Sequence, residues 1–137
     1  MHTTNYTDTF IEIAEDCPVQ FAEIPPQKGD EKTIATLQFE MIYSNPYKFT
    51  SDDIVFQAFA IKNKIALFEL RTKREAFFSK GQPCLRSSPL TKRYGWGVHY
   101  NNEGKIAIFA AESDEYKRLV KDSSLKHLKA MRSKKNP

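Results

Sequence analysis

Hydrophobic positions recur along the chain in short, punctuated runs, and their spacing predicts most of the elements. Thr7–Ala14 sets Phe10, Ile11 and Ile13 among β-branched neighbours and predicts a strand. Val19–Ile24 alternates imperfectly and reads as a second short strand. Pro25-Pro26 followed by Gly29-Asp30 forces a loop. In Thr33–Tyr43, Ile34, Leu37 and Met41 form one face of an amphipathic helix. Asp30 and Glu31 suit its positive end. Asn45-Pro46 stops it, because the residue before a proline avoids the helical region. Thr50-Ser51-Asp52-Asp53 matches a capping box with Asp in place of Glu or Gln, and opens a helix to about Lys62. The short loop makes these two helices an antiparallel pair.

Ile65–Leu70 is too short for periodicity to separate strand from helix, and Arg71–Ser79 reads as a helix ending near Gly81. Ser88-Pro89 starts a short helix, with Ser as N-cap and Pro at the first helical position, and Gly95 stops it. Tyr94–Tyr100 and Lys105–Ala110 are strands around Asn101-Asn102-Glu103-Gly104, the clearest hairpin in the chain. Ser113-Asp114-Glu115 opens a last helix carrying Tyr116, Leu119 and Val120, with Leu125, Leu128 and Met131 continuing it past Asp122-Ser123-Ser124. The expectation is one α+β domain over residues 1–132, an antiparallel sheet with about four helices including a C-terminal one. Residues 133–137 are expected to form a basic flexible tail.

Composition narrows the class. A chain of 137 residues can bury a core without disulfides or metal. Its apolar runs, such as Ile65–Phe68, are too short to cross a membrane, so a membrane is not an expected partner. The start, Met1-His2-Thr3-Thr4-Asn5, lacks the basic and apolar regions of a secretory signal. There is no GxxxxGK[ST], HExxH, GxSxG or CxxC motif. The net charge of +4 is unevenly spread. Residues 1–53 hold 3 Lys/Arg and 10 Asp/Glu, a net of −7; residues 54–137 hold 18 and 7, a net of +11. Such asymmetry either marks an anionic partner or is neutralised across the fold. Cys17 and Cys84 lie far apart, which fits reduced thiols in a cytoplasm.

Glu75 and Glu103 bracket a stretch free of acidic residues, in which Lys80, Arg86, Lys92, Arg93 and His99 alternate with hydroxyls and aromatics. Arg86, Ser87 and Ser88 at the start of a helix suit an anion, through free N–H groups, hydroxyls and a guanidinium. With Lys92, Arg93 and Trp96 they make the first candidate, a site for an anionic small molecule. The alternative is structural, with Arg86 tied to an acidic residue of the first half. Two further readings stay open. The basic half, interleaved with aromatics, suits nucleic acid. Cys84 beside His99 would make a nucleophile pair. Of the paired carboxylates, three fit helix N-termini: Asp30-Glu31, Asp52-Asp53 and Asp114-Glu115. His2, His99 and His127 show no metal-ligand spacing, so neither a metal nor another cofactor is expected.

Phe77-Phe78-Ser79-Lys80-Gly81-Gln82-Pro83-Cys84, followed by the run from Arg86 to Gly97 (RSSPLTKRYGWG), resembles a family of small bacterial proteins of unknown function. Thr4-Asn5-Tyr6, Glu15-Asp16-Cys17-Pro18, Pro46-Tyr47 and Thr50-Ser51-Asp52-Asp53 resemble it too. The resemblance implies a bacterial, single-domain, cytoplasmic protein and implies no activity.

Overall fold

The apolar run around Phe10 and Ile11 does form a strand, β1 (Thr9–Glu12), and it becomes an inner strand of the sheet. The computed structural model describes residues 1–27 and 29–134. After β1 come α1 (Ile34–Tyr43), α2 (Ser51–Lys62), α3 (Leu70–Phe77) and the four-residue α4 (Pro89–Lys92). Then follow the hairpin β2 (Trp96–Tyr100) and β3 (Ile106–Ala110), α5 (Asp114–Val120) and β4 (Lys126–Lys129). The sheet order is β3-β2-β1-β4. β1 lies antiparallel to β2, with Phe10 opposite His99 and Ile11 opposite Val98. The fold is a single α+β domain.

Local chemistry sets the helix starts. Thr33 caps α1 by accepting from the Thr36 N–H; Asp30 and Glu31 fall outside its first turn. At α2 the capping box is complete: Thr50 accepts from the Asp53 N–H, and the Asp53 carboxylate accepts from the Thr50 N–H. Ser88 caps α4 and Ser113 caps α5. The undecided Ile65–Leu70 segment is a 3-10 turn at Leu67–Glu69 leading into α3.

Three expectations fail. The sheet is mixed, because β4 pairs with β1 in parallel, Thr9 opposite Lys126 through Glu12 opposite Lys129. The C-terminal segment is thus a strand and not a helix. Asp122 ends α5 by accepting from the N–H and hydroxyl of Ser124, and the Asp122 carbonyl accepts from the Leu125 N–H. The three-residue spacing of Leu125, Leu128 and Met131 imitated a helix. The core instead takes Leu128 and Ala130, a pair spaced by two as in a strand. Val19–Ile24 forms no strand either. Its backbone is held by hydrogen bonds from Glu23 N–H to the Tyr94 carbonyl and from Ala22 N–H to the Glu112 carboxylate. Phe21 and Ile24 face solvent.

One sheet face, with Ile11, Val98, Tyr100, Ile106 and Ile108, packs on Phe39 and Ile42 of α1 and Ile54 of α2, with Leu85 and Leu90. A second cluster, Phe56, Ala60 and Phe78, lies between α2 and α3. The opposite sheet face meets α5, where Tyr116 packs edge-on against Phe10 at 5.1 Å. The charge halves neutralise one another in part: Glu15 meets Lys129 and Arg132, and Asp53 meets Arg74. In the expected tail, the Ser133 and Lys134 N–H groups donate to the Asp16 carboxylate. Residues 135–137 of it lie outside the described residues.

Candidate functional site

The segment that stood out in the sequence is engaged in building the fold. The Ser88 hydroxyl donates to Gln38 Oε1 at 2.7 Å and accepts from the Leu90 N–H, all of it buried. Thr91 Oγ1 donates to the Leu85 carbonyl. Arg86 points neither to the amides of α4 nor to a carboxylate. Its Nε donates to the Lys129 carbonyl at 2.8 Å, and its own carbonyl accepts from the Met131 N–H. Arg86 thus covers the outer edge of β4, where unpaired strand groups invite association. Ser87 Oγ lies 3.0 Å from Met131 Sδ, and the buried Trp96 donates its indole N–H to the Glu23 carbonyl. Lys92 is half-buried and Arg93 exposed at the end of α4. These six residues do not converge on one cavity: Ser87 and Ser88 line one groove, and Trp96 lines another.

The Cys84–His99 pair does not form. Cys84 Sγ lies 3.6 Å from the Tyr6 hydroxyl, on the core side of the sheet, and lines the groove against α1 and α2. His99 faces the other way. β2 sends Val98 and Tyr100 into the core, so strand alternation turns His99 toward α5. Cys17 and Cys84 are both free and half-buried.

His99 has a different partner, one that local sequence reading missed. Its Nδ1 lies 2.7 Å from the Tyr47 hydroxyl, and the two rings meet edge-on at 5.5 Å. Tyr47 comes from the α1–α2 loop, just after Asn45-Pro46. Its N–H donates to the Ile106 carbonyl, and the Ile106 N–H donates to the Phe49 carbonyl, which pins the loop along β3. Tyr47 has φ of 57°, in the left-handed region that a bulky side chain rarely enters. Strain of this kind persists where surroundings enforce it, and it concentrates at functional sites. Tyr47 and His99 open onto a cleft of about 360 Å³ completed by Phe109, Glu115, Arg118 and Asp122. β2, β3, α5 and the α1–α2 loop together build it. The signals in the sequence were Asn45-Pro46-Tyr47, which forces a turn, and the alternation that takes His99 off the core face.

Burial holds the His99 imidazole below its ordinary range, while the carboxylates of Asp122 and Asp8 oppose that shift without overcoming it. Burial also pushes the Tyr47 phenol up. Hydrogen bonds from Ser124 hold Asp122 below the usual carboxylate range. At neutral pH the cleft therefore pairs a neutral phenol with a neutral imidazole, which keeps one donor and one acceptor nitrogen. His127 lies in the same cross-strand row as His99 and Phe10, with Nε2 2.7 Å from the Asp122 carbonyl oxygen. Among the described residues no group of three His, Cys, Asp or Glu side chains is placed to hold a metal ion.

The lowered His99 value has a consequence for stability. Below its unfolded value the unfolded chain binds a proton that the folded chain resists, so acidification through that range favours unfolding. The His99 contribution is fully present above the unfolded value and is lost as pH falls through the folded one. In His99→Gln that part of the pH dependence is expected to vanish, as read by urea midpoints between pH 7.5 and 5. Parallel profiles in the two proteins would refute the assignment.

Fold and cleft define a small α+β domain with a polar surface site and no helix, among the described residues, long and apolar enough to cross a membrane. The chain belongs to the family of unknown function DUF6157, which matches residues 1–136. No curated protein and no solved structure matches it.

Proposed function

We propose that the protein is a binding module whose ligand places a cationic group, an ammonium or a guanidinium, in the Tyr47–His99 cleft. The observation that carries this reading is what lines the cleft. Glu115 and Asp122 stand in it, with Asp8 near the imidazole, against the single guanidinium of Arg118. Tyr47 and Phe109 present aromatic surface, and carboxylates combined with aromatic faces are the chemistry that holds organic cations. With Nδ1–H donating to the Tyr47 hydroxyl, the neutral His99 leaves Nε2 to accept a hydrogen bond from such a ligand's N–H without repelling it. The strained Tyr47 backbone supports the same reading, because Tyr47 is 37% exposed and core burial does not account for it.

An anionic ligand at Arg86–Trp96 has less behind it, since those donors already serve carbonyls, a thioether and Gln38. A nucleic-acid surface has less as well, since Lys129, Arg132 and Arg74 face carboxylates of the first half. The two free thiols support a reducing, cytoplasmic setting.

The test is an NMR titration of the His99 ring with butylammonium and with ethylguanidinium to ~50 mM, the range in which ligands of this size bind. Saturable shifts of His99 are expected, reduced at least tenfold in affinity by Asp122→Asn. Sodium acetate serves as the anion control. A His99 resonance that moves with acetate and not with the cations sinks the proposal.

A further inference from the structure

We infer that the cationic group is a Lys or Arg side chain of an extended peptide, which adds to the outer edge of β3 as a fifth strand. The inference rests on the reading of the cleft as a cation site and names the kind of molecule that carries the cation.

β3 is an outer strand of the sheet. The Asn101 N–H donates to the Lys105 carbonyl, and the Ala111 N–H donates to the Gly95 carbonyl. In an antiparallel ladder bonded and non-bonded pairs alternate. Counting from both ends, Ala107 and Phe109 bond inward to β2, while Ile106, Ile108 and Ala110 turn their backbone groups outward. The α1–α2 loop satisfies Ile106, through the Tyr47 N–H and the Phe49 carbonyl. The Ala110 carbonyl accepts from the N–H and hydroxyl of Ser113. The N–H and C=O of Ile108 and the N–H of Ala110 have no partner among the described residues. The opposite edge of the sheet is covered by Arg86 and carries Lys126 and Lys129, whereas β3 has no charged side chain to deter a visiting strand.

Two clefts meet at this open stretch. One, of about 340 Å³, is lined by Ile42, Tyr43, Pro46, Trp96 and Ile108. The other is the Tyr47–His99 cleft, and Phe109 and Glu115 line both. Successive side chains of a strand point to opposite faces. A strand laid beside Ile108 therefore sends one residue toward the apolar cleft and its neighbour toward the carboxylates of the other. The ligand so defined is a short extended segment with an apolar residue next to a Lys or Arg. A second copy of the chain pairing edge to edge does not meet this demand. The β3 residues are Ile106, Ala107, Ile108, Phe109 and Ala110, and none brings a cation to Glu115 and Asp122.

The experiment titrates the full chain with a capped pentapeptide bearing lysine between two isoleucines, alongside butylammonium, by calorimetry and amide NMR. The peptide is expected to bind at least tenfold more tightly than butylammonium and to protect the Ile108 and Ala110 amides from exchange. N-methylation of the peptide residue opposite Ile108, and norleucine in place of lysine, should each weaken it roughly tenfold, the scale of one lost backbone or charged hydrogen bond. If butylammonium binds and the peptide binds no better, or its N-methyl form binds equally well, strand addition is wrong and the cation site stands. If the norleucine peptide binds as tightly as the lysine one, the assignment of the cation to the peptide is wrong. If neither butylammonium nor peptide binds, both readings fall. A concentration-dependent dimer that Phe109→Lys disperses, without peptide binding, would give the edge to a second copy and overturn the inference.

Discussion

Replacing Gly97 by alanine is expected to destabilise the protein by about 3 kcal/mol, the upper end of what an overpacked core costs. A Cβ at this position would sit 2.6 Å from Tyr116 Cε2 and 2.7 Å from Phe10 Cζ. Both atoms belong to rings packed edge-on against each other. Neither is the free end of a flexible chain. The Tyr116 hydroxyl accepts from the Ile13 N–H at 2.9 Å, so swinging its ring away breaks a hydrogen bond that ties α5 to the strand region. Phe10 is fully buried on β1 and has nowhere to retreat. α5 also carries Glu115 and Arg118 and leads directly into Asp122, so the strain should reach the cleft and shift the His99 ring resonance. Urea denaturation measures the first effect and NMR the second. A loss under about 1 kcal/mol, the range of well-tolerated core changes, would mean that α5 floats on the sheet.

What could be read from sequence divides along the distance over which the physics acts. The capping box at Thr50 and the Ser88-Pro89 start are complete within a few contiguous residues, so they were legible and the structure contains both. The hairpin around Asn101–Gly104 is local in the same way. The mixed sheet was not legible, because the parallel pairing of β4 with β1 joins segments more than a hundred residues apart. Leu125, Leu128 and Met131 kept helical spacing while the core selected Leu128 and Ala130. The Arg86–Trp96 segment was legible as unusual but not in its role. A guanidinium aimed at a ligand and one aimed at a carbonyl 43 residues away present the same letters. Tyr47 and His99 stand 52 positions apart, and only the folded loop brings the phenol to the imidazole.

Asp52→Ala is expected to cost about 3 kcal/mol, as much as the glycine substitution but by a different route. The pair Asp52-Asp53 reads as negative charge at a helix N-terminus, and the structure divides the two roles. Asp53 closes the capping box. Asp52 is buried and accepts from the Thr3 hydroxyl at 2.7 Å, the Thr4 N–H at 2.6 Å and the Thr4 hydroxyl at 2.7 Å. The Asp52 N–H in turn donates to Asn5 Oδ1. These bonds hold the N-terminal segment to α2 and deliver the chain into β1. Removing the carboxylate leaves the Thr4 N–H without an acceptor in the interior, and each orphaned buried donor costs about 1–3 kcal/mol. The Thr4 hydroxyl loses less, because Ser51 Oγ remains 2.8 Å away. Asp52→Asn keeps one acceptor oxygen and should lose about half as much, which separates hydrogen bonding from side-chain volume. Amide exchange supplies the local readout: the Thr4 N–H should lose protection in Asp52→Ala before the sheet does. Equal losses in the Asn and Ala variants would instead make the negative charge at the start of α2, and not the bonds to Thr3 and Thr4, the source of the stability.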